Sequence, residues 1–409
     1  MKIVFLLHNA YAIGGTIRTT LNLAAALAER HRVEIVSMMR HREHPRFAVD
    51  ERVTLTPLVD LRPSGPDAGL PDFALPARDF PAEDRRHHQY SRLIDLRVRD
   101  FLAHCDADVV IGTRPGINVY LARFGPRRAL RIAQEHLRHD AHGTDLRRVL
   151  ARHYRTLDAV VTTTAADAEV YRARMRLPGV RVVAVPNIVP DPGVAPSDGT
   201  AKVIAAAGRL AKGKRFDLLL DAFAKVSAGH REWRLRIYGG GAQEDRLRAL
   251  IDSLGLGGRA ELMGPHSPIE PEFARASIVV SASDAESFGM TLVEGMRCGV
   301  PVVSTNCPLG PAEIITDGVD GRLVPVGDAA ALAQALTGLV EDAPLRRAMG
   351  RAALESARRF DPGPVVARYE LLFPELRAGR LRNRAVRLRA RLTSSARRRL
   401  RGMVTGRRR

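Results

Sequence analysis

Little in these 409 residues suits a secreted, membrane-spanning or disulfide-stapled protein. The three cysteines, Cys105, Cys298 and Cys307, are odd in number and form no CxxC pair. They argue against a disulfide framework or a zinc cluster and fit a reducing compartment. No apolar run approaches the ~20 residues that a bilayer-crossing helix needs. The start, MKIVFLLHNAY, carries one basic residue and a short apolar stretch, with no small-residue cleavage site after it. It reads as a buried strand rather than a secretory signal, so the expected location is the cytoplasm. Acid is missing altogether after Glu375: residues 376–409 hold fourteen arginines, no lysine and no carboxylate side chain. Removing those fourteen charges from the formal +19 leaves +5 on the first 375 residues, a mildly basic body with a strongly basic tail. The tail has no aromatic residue either, which disfavours specific nucleic-acid reading.

What is present points to an α/β protein. At 45% hydrophobic, 409 residues exceed one core and suit two domains. KIVFLLH (2–8), a helically spaced run at 16–30 and VEIVSM (33–38) form a β-α-β unit, which implies a parallel sheet with right-handed crossovers. DVVIGT (108–113), ALRIAQ (129–134), AVVTTT (159–164) and RVVAVPN (181–187) continue it. NIVPDPGVAPSDGT reads as a linker. KVIAAAG (202–208), RLRIYGG (234–240), RAELMG (259–264), IVVSAS (278–283) and PVVST (301–305) make a second series. The expected division is 1–187, a linker at 188–200, 201–358, a returning helix at 359–375 and a basic tail at 376–409. Two Rossmann-like β/α domains would then face each other across a cleft, with ligands at the carboxyl ends of the strands. Residues 62–90 interrupt the pattern with five prolines and no periodicity. They read as a mobile surface insertion, or as a flap over an acceptor site.

Three stretches carry candidate chemistry. In GRLAKGKRFDLLLDAF (208–223) a strand ends at Gly208, and Arg209, Lys212, Lys214 and Arg215 follow before the next helix. Such a cation cluster suits a phosphate or diphosphate. Gly14 and Gly15 open a helix after the first strand, where free N–H groups meet an anion. This is not GxGxxG, and Glu34 lies inside the second strand rather than at its end, so a nicotinamide cofactor is disfavoured. In DAESFGMTLVEGMRCG (284–299), Glu286 and Glu294 stand eight apart. With Ser287 as cap of a helix starting at Phe288, Glu286 precedes the helix and Glu294 lies about two turns in, pointing back towards the same ligand. Such a pair can grip two polyols; a hydrolase's acid/base pair is the rival, disfavoured by the cations. Asp106-Ala-Asp108 and His136-x-x-His139-x-x-His142 have metal-like spacing. The first sits in the turn before a strand, and the second lacks a supporting carboxylate and runs into Gly143.

Glu-x7-Glu in ESFGMTLVE, the GRL-x3-K segment, the early GG loop and NCPLGPAEIITDGVDGRLVPVGD (306–328) together resemble the retaining family-4 glycosyltransferases of GT-B fold, the glycosyl transferases group 1. The likeness spans most of residues 1 to about 375 and is most specific in the second half. Arg215 departs from the family, which has glycine after the lysine. The resemblance implies that Glu286 contacts the donor sugar, Glu294 the ribose, and Arg209 and Lys214 the diphosphate. It also implies that the backbone at Phe288, Gly289 and Met290 lines the sugar and phosphate site, that Gly14 and Gly15 close over the phosphates, and that His136 sits near sugar and acceptor. The implied reaction moves a sugar with retention from a nucleotide-diphosphate donor, expected to be a UDP-sugar, to a sugar, polyol-phosphate or lipid-linked acceptor of the cell envelope. It needs no metal and no cofactor. The alternatives are a GT-B sugar-nucleotide epimerase and a non-catalytic GT-B-like protein. In the tail, Leu381, Ala385, Leu388 and Leu392 share one side of a helix, so an anionic membrane surface is an expected partner and a disordered basic tail the rival.

Overall fold

In the computed structural model the backbone is described for residues 1–406 and the side chains for residues 1–390. The continuous apolar runs become the strands of two all-parallel sheets. The first holds β1 (Lys2–Leu7), β2 (Arg32–Ser37), β3 (Val53–Pro57), β4 (Val109–Gly112), β5 (Leu130–Glu135), β6 (Ala159–Thr162) and β7 (Arg181–Ala184), in the order β3-β2-β1-β4-β5-β6-β7. The second holds β8 (Val203–Ala207), β9 (Arg234–Tyr238), β10 (Ala260–Gly264), β11 (Ile278–Ser281), β12 (Val302–Thr305) and β13 (Gly321–Val324), in the order β10-β9-β8-β11-β12-β13. Parallel strands need crossovers, and helices supply them. The strands are therefore covered on both faces, which is why they read as unbroken hydrophobic runs. Strand order reverses between β1 and β4 (Ile3 beside Val109) and between β8 and β11 (Ile204 beside Ile278). At such a reversal the carboxyl ends open a crevice.

The chain divides into two compact units, residues 1–185 with 366–409, and residues 186–365. Val4, Leu6, Val110, Tyr120 and Tyr154 lie in the first core, and Leu219, Phe223, Leu235, Ile237 and Val303 in the second. Two strands went unforeseen. β3 (VTLTP) and β13 (GRLV) are edge strands with partly exposed patterns.

Residues 62–90 run exposed over much of their length but are anchored in the core. Phe80 and Tyr90 are both buried and stack at 3.5 Å between ring centroids with a 14° interplanar angle. The Asp95 carboxylate accepts the backbone N–H groups of Arg78, Asp79 and Phe80 at 2.6, 3.0 and 3.3 Å. The prolines hide the periodicity, and the aromatic pair anchors the segment in the core.

The last helix runs from Pro362 to Gly406 and docks its first half on the first sheet. Tyr369, Phe373 and Leu376 are buried there, and Tyr369 Oη accepts from Gln134 Nε2 at 2.9 Å. Beyond Gly379 the docked face turns polar. Arg380 reaches Asp158 at 3.3 Å, and Arg387 donates to the Gly179 carbonyl at 2.9 Å. Leu381 and Leu388 point outward instead; the side chain of Leu392 lies outside the described residues. No helix among the described residues is long and apolar enough to cross a membrane.

Candidate active site

In the second unit, the loop after β8 is fastened to the glycine run after β9. Gly208 N–H donates to Tyr238 O at 2.9 Å and Leu210 N–H to Gly240 O at 3.0 Å. A 3-10 turn over Lys212–Lys214 follows, and Arg215, at φ 50°, starts the helix Phe216–Gly229. The four cations of this loop separate by role. Arg215 turns to Asp217 and Asp284, both at 3.1 Å, and serves the structure. Lys214 Nζ lies 2.5 Å from Glu286 Oε1, which also accepts from Ser283 Oγ at 2.7 Å. The Ser283 carbonyl is held in turn by Thr305 Oγ1 at 2.6 Å, so β12 steadies the residue that steadies Glu286. Arg209 and Lys212 are exposed and have no carboxylate partner among the described residues. The switch point of this sheet thus offers two free cations beside a lysine–carboxylate pair that is mostly shielded from water.

The helix that brackets the two glutamates runs over Met290–Arg297, with Gly289 as its cap at φ 111° and no side-chain cap. Two expectations are corrected by this. Ser287 does not cap the helix, because the left-handed turn at Gly289 delays its start. Glu294 lies just over one turn in, at 3.6 residues per turn, rather than two. It is buried, as are Phe288 and Gly289, while Met290 is half-buried. Phe288 meets Phe360 edge-on, with centroids 5.5 Å apart. The Phe288 carbonyl lies against Gly310 so closely that a Cβ there would be 2.2 Å from the oxygen. Burial, and then the nearby Glu286 carboxylate, push the Cys307 thiol up to about 11, leaving it an unreactive neighbour.

In the first unit, Gly14 caps the helix Gly15–Ala28 with extended backbone, no side-chain cap and no acidic residue in the first turn. The positive end of that helix is left unneutralised by any carboxylate of its own first turn. His136 directly follows β5, and its buried Nε2 has no partner. Burial, and then Arg114, lower its pKa to about 4, so the ring is neutral at physiological pH.

Sequence reasoning missed a group at the same carboxyl edge. His8 Nδ1 is 2.8 Å from Tyr90 Oη, and its Nε2 is 3.0 Å from Gln89 Oε1 and 3.2 Å from Arg86 Nη1. Burial, then Arg114, then Arg86, lower His8 to about 3. His8 and Arg114 carried a readable signal, since each is a polar residue at the end of an apolar run. Arg86, in an aperiodic segment, carried none.

The metal-like spacings resolve structurally. Asp106 pairs with Lys2, and Asp108 accepts from Lys2 N–H at 2.9 Å and Arg377 at 2.8 Å. His139 pairs with Asp140 and packs edge-on against Tyr171, while His142 Nε2 lies 3.5 Å from Glu135 Oε2. Among the described residues no three His, Cys, Asp or Glu side chains converge as metal ligands.

Two Rossmann-ordered parallel sheets, each with its ligand-poised loops at the switch point, define the GT-B class. Residues 191–356, within the second unit, match the family model of glycosyl transferases group 1. Over 391 residues it is 36% identical to an exopolysaccharide phosphotransferase of Streptomyces coelicolor, which covers 92% of this chain and 41% of that protein. The chain therefore spans under half the length of this relative. TarM of S. aureus, solved as a variant with fondaparinux, α-GlcNAc-glycerol and UDP, has the same fold, with a TM-score of 0.72 at 15% identity over 91% of this chain and 99% of that one. HepE of Anabaena, solved with UDP and glucose, matches with a TM-score of 0.69 at 20% identity over 92% and 100%.

Proposed function

We propose that this chain transfers a sugar, with retention, from a nucleotide-diphosphate donor to a hydroxyl of a cell-envelope or lipid-linked acceptor. The observation that carries this is the Lys214–Glu286 pair at the β8/β11 switch point with Arg209 free beside it. A donor diphosphate entering there meets Arg209 and Lys214, while Glu286 is left to take sugar hydroxyls. As the bond from sugar C1 to the phosphate oxygen breaks, negative charge grows on the diphosphate. Arg209, Lys214 and the helix start at Met290 would stabilise it without a required metal. The acceptor oxygen attacks C1 from the face the leaving group departs from, and its proton passes to the departing phosphate. Glu294 would hold the ribose, and the backbone at Phe288 and Gly289 the sugar and phosphates. The helix start at Gly14 and Gly15 would meet a phosphate, and the neutral His136 would sit near sugar and acceptor. Uridine is favoured because both structural neighbours were solved with UDP. Arg86 and Arg114 favour an acceptor that carries a phosphate, and the arginines of the last helix together with its exposed leucines favour an anionic membrane surface as a partner.

The printed name of the Streptomyces relative supports a second reading, transfer of the sugar together with its phosphate. The leaving group decides between the two: nucleoside diphosphate for sugar transfer, nucleoside monophosphate for sugar-phosphate transfer. The experiment screens UDP, GDP and ADP with their sugars by thermal shift, then identifies the released nucleotide with the best donor. Glu286→Gln is expected to abolish turnover while UDP still binds. Wild-type turnover in Glu286→Gln overturns the site assignment. Isomerisation of the donor sugar without any acceptor would make the chain an epimerase.

A further inference from the structure

The amino-terminal edge of the first sheet, opposite the edge that carries His136, holds a cavity of about 460 Å3 lined largely by arginine. Arg131 enters it from β5, Arg127 from the loop before β5, Arg155 from the turn before β6, and Arg384 and Arg387 from the last helix, with Arg123 alongside. Few carboxylates offset them. Arg123 pairs with Asp79 at 2.7 Å. Asp158 is buried and shared between Arg380 at 3.3 Å, Arg387 at 3.6 Å and the Arg131 backbone N–H at 2.9 Å. Arg127, Arg155 and Arg384 are exposed and have no carboxylate partner among the described residues. Arg131 Nε is buried without a partner. Arg131, Arg155 and Arg387 donate to the carbonyls of Thr156, Arg176 and Gly179, which orient them without cancelling their charge. Such a lining favours an anion, and the planar guanidinium fork matches phosphate oxygens. Apolar surface borders the same cavity. Leu388 lines it and is 59% exposed; Leu381, two turns earlier, is 80% exposed. Arg384 falls between them on that helix face.

We propose that this pocket binds the phosphate of an anionic phospholipid headgroup, with Leu381 and Leu388 entering the lipid surface beside it. Exposed leucine flanking a cationic pocket is the chemistry of a bilayer interface rather than of a free phosphate site. The proposal rests on the membrane-partner part of the reading given under Proposed function and gives it a location. Roughly 20 Å of sheet, the length of a six-residue strand, separates this edge from His136.

The test uses the full chain and vesicles of phosphatidylcholine alone or mixed in equal parts with phosphatidylglycerol. Wild type is expected to float with the mixed vesicles only. The double variant Arg127→Ser/Arg384→Ser should bind them about thirtyfold more weakly, from roughly 1 kcal/mol per basic residue near the surface. Both arginines are exposed, so the variant should keep the wild-type melting temperature. Leu381→Ser/Leu388→Ser should also weaken vesicle binding. Equal binding by wild type and the arginine variant overturns the pocket while leaving a membrane partner through the rest of the tail. No binding by either overturns both. If inorganic pyrophosphate raises the melting temperature of wild type but not of the arginine variant, and vesicles do not bind, the pocket takes soluble phosphate and the lipid assignment fails. Retention of duplex RNA in preference to mixed vesicles, lost in the arginine variant, likewise overturns it in favour of nucleic acid.

Discussion

Gly310→Ala tests how the loop bearing Glu286 is held. Gly310 has φ −126°, outside the left-handed region that glycine alone favours, so the main effect expected is that of the added methyl group. That Cβ would sit 2.2 Å from the Phe288 carbonyl oxygen and 3.3 Å from Glu286 Cβ. A backbone oxygen cannot rotate away as a side chain would, so the 306–311 and 284–289 loops must separate. Overpacking of this kind costs about 1–3 kcal/mol. The second unit spans residues 186–365. For a domain of that size each kcal/mol moves the melting temperature by roughly 2–4 °C, so a fall of about 2–12 °C is expected. Gly338→Ala is the matched control. It lies on the exposed face of the helix Ala329–Glu341, where a Cβ meets nothing within 4 Å. It should gain about 0.5–1 kcal/mol from helix propensity and melt slightly higher. Calorimetric melts of the three proteins decide the matter. If Gly310→Ala melts with wild type, or if both variants shift in the same direction, the tight backbone approach is not what holds the loop.

Lys214→Ala leaves Glu286 with Ser283 alone and removes a cation from the diphosphate. Titration calorimetry should show binding of UDP weakened by about tenfold or more, a charge-assisted contact being worth roughly 1.5–3 kcal/mol, with uridine unaffected; equal loss for both ligands would remove Lys214 from the phosphates. His8 has its folded pKa lowered to about 3 against an ordinary value of 6.5, so between those values the unfolded chain binds the extra proton. Its contribution to stability is complete above pH 6.5 and is lost as pH falls towards 3, so His8→Asn should lose less stability than wild type between pH 7 and 4.5. Urea midpoints that fall by the same amount in both proteins would show that His8 does not titrate in this way.

The parts of the site that could be read beforehand lie where an apolar run stops. Gly208 with Arg209, Ser283 with Glu286, and His8 with Gly14 all follow a buried strand, and polar residues there have no core to enter. Arg86 and the Phe80–Tyr90 stack lie in a proline-rich segment whose packing is decided by distant partners, so no local period announces them. β3 and β13 escaped for another reason. VTLTP and GRLV hold only two large apolar residues each, too short a run to mark a strand, whereas the other two edge strands, β7 and β10, were legible.

The contact between Lys214 and Glu286 bridges 72 residues, and neither segment hints at the other. Strand order explains it. In an order that runs third, second, first, fourth, the strands that touch at the switch point are the first and the fourth, and the intervening chain is spent on two strands laid to one side. The loop after β8 and the loop after β11 are therefore neighbours whatever lies between them. The first unit repeats the arrangement: His8 follows β1, Arg114 follows β4, and β1 pairs directly with β4. The lowered pKa of His8, caused after burial chiefly by Arg114, is what that adjacency should produce. Each half of the chain thus builds its polar centre from the ends of its first and fourth strands. That rule, applied to the apolar runs alone, would have placed Lys214 beside Glu286 and drawn Arg114 into the site before any side chain was located.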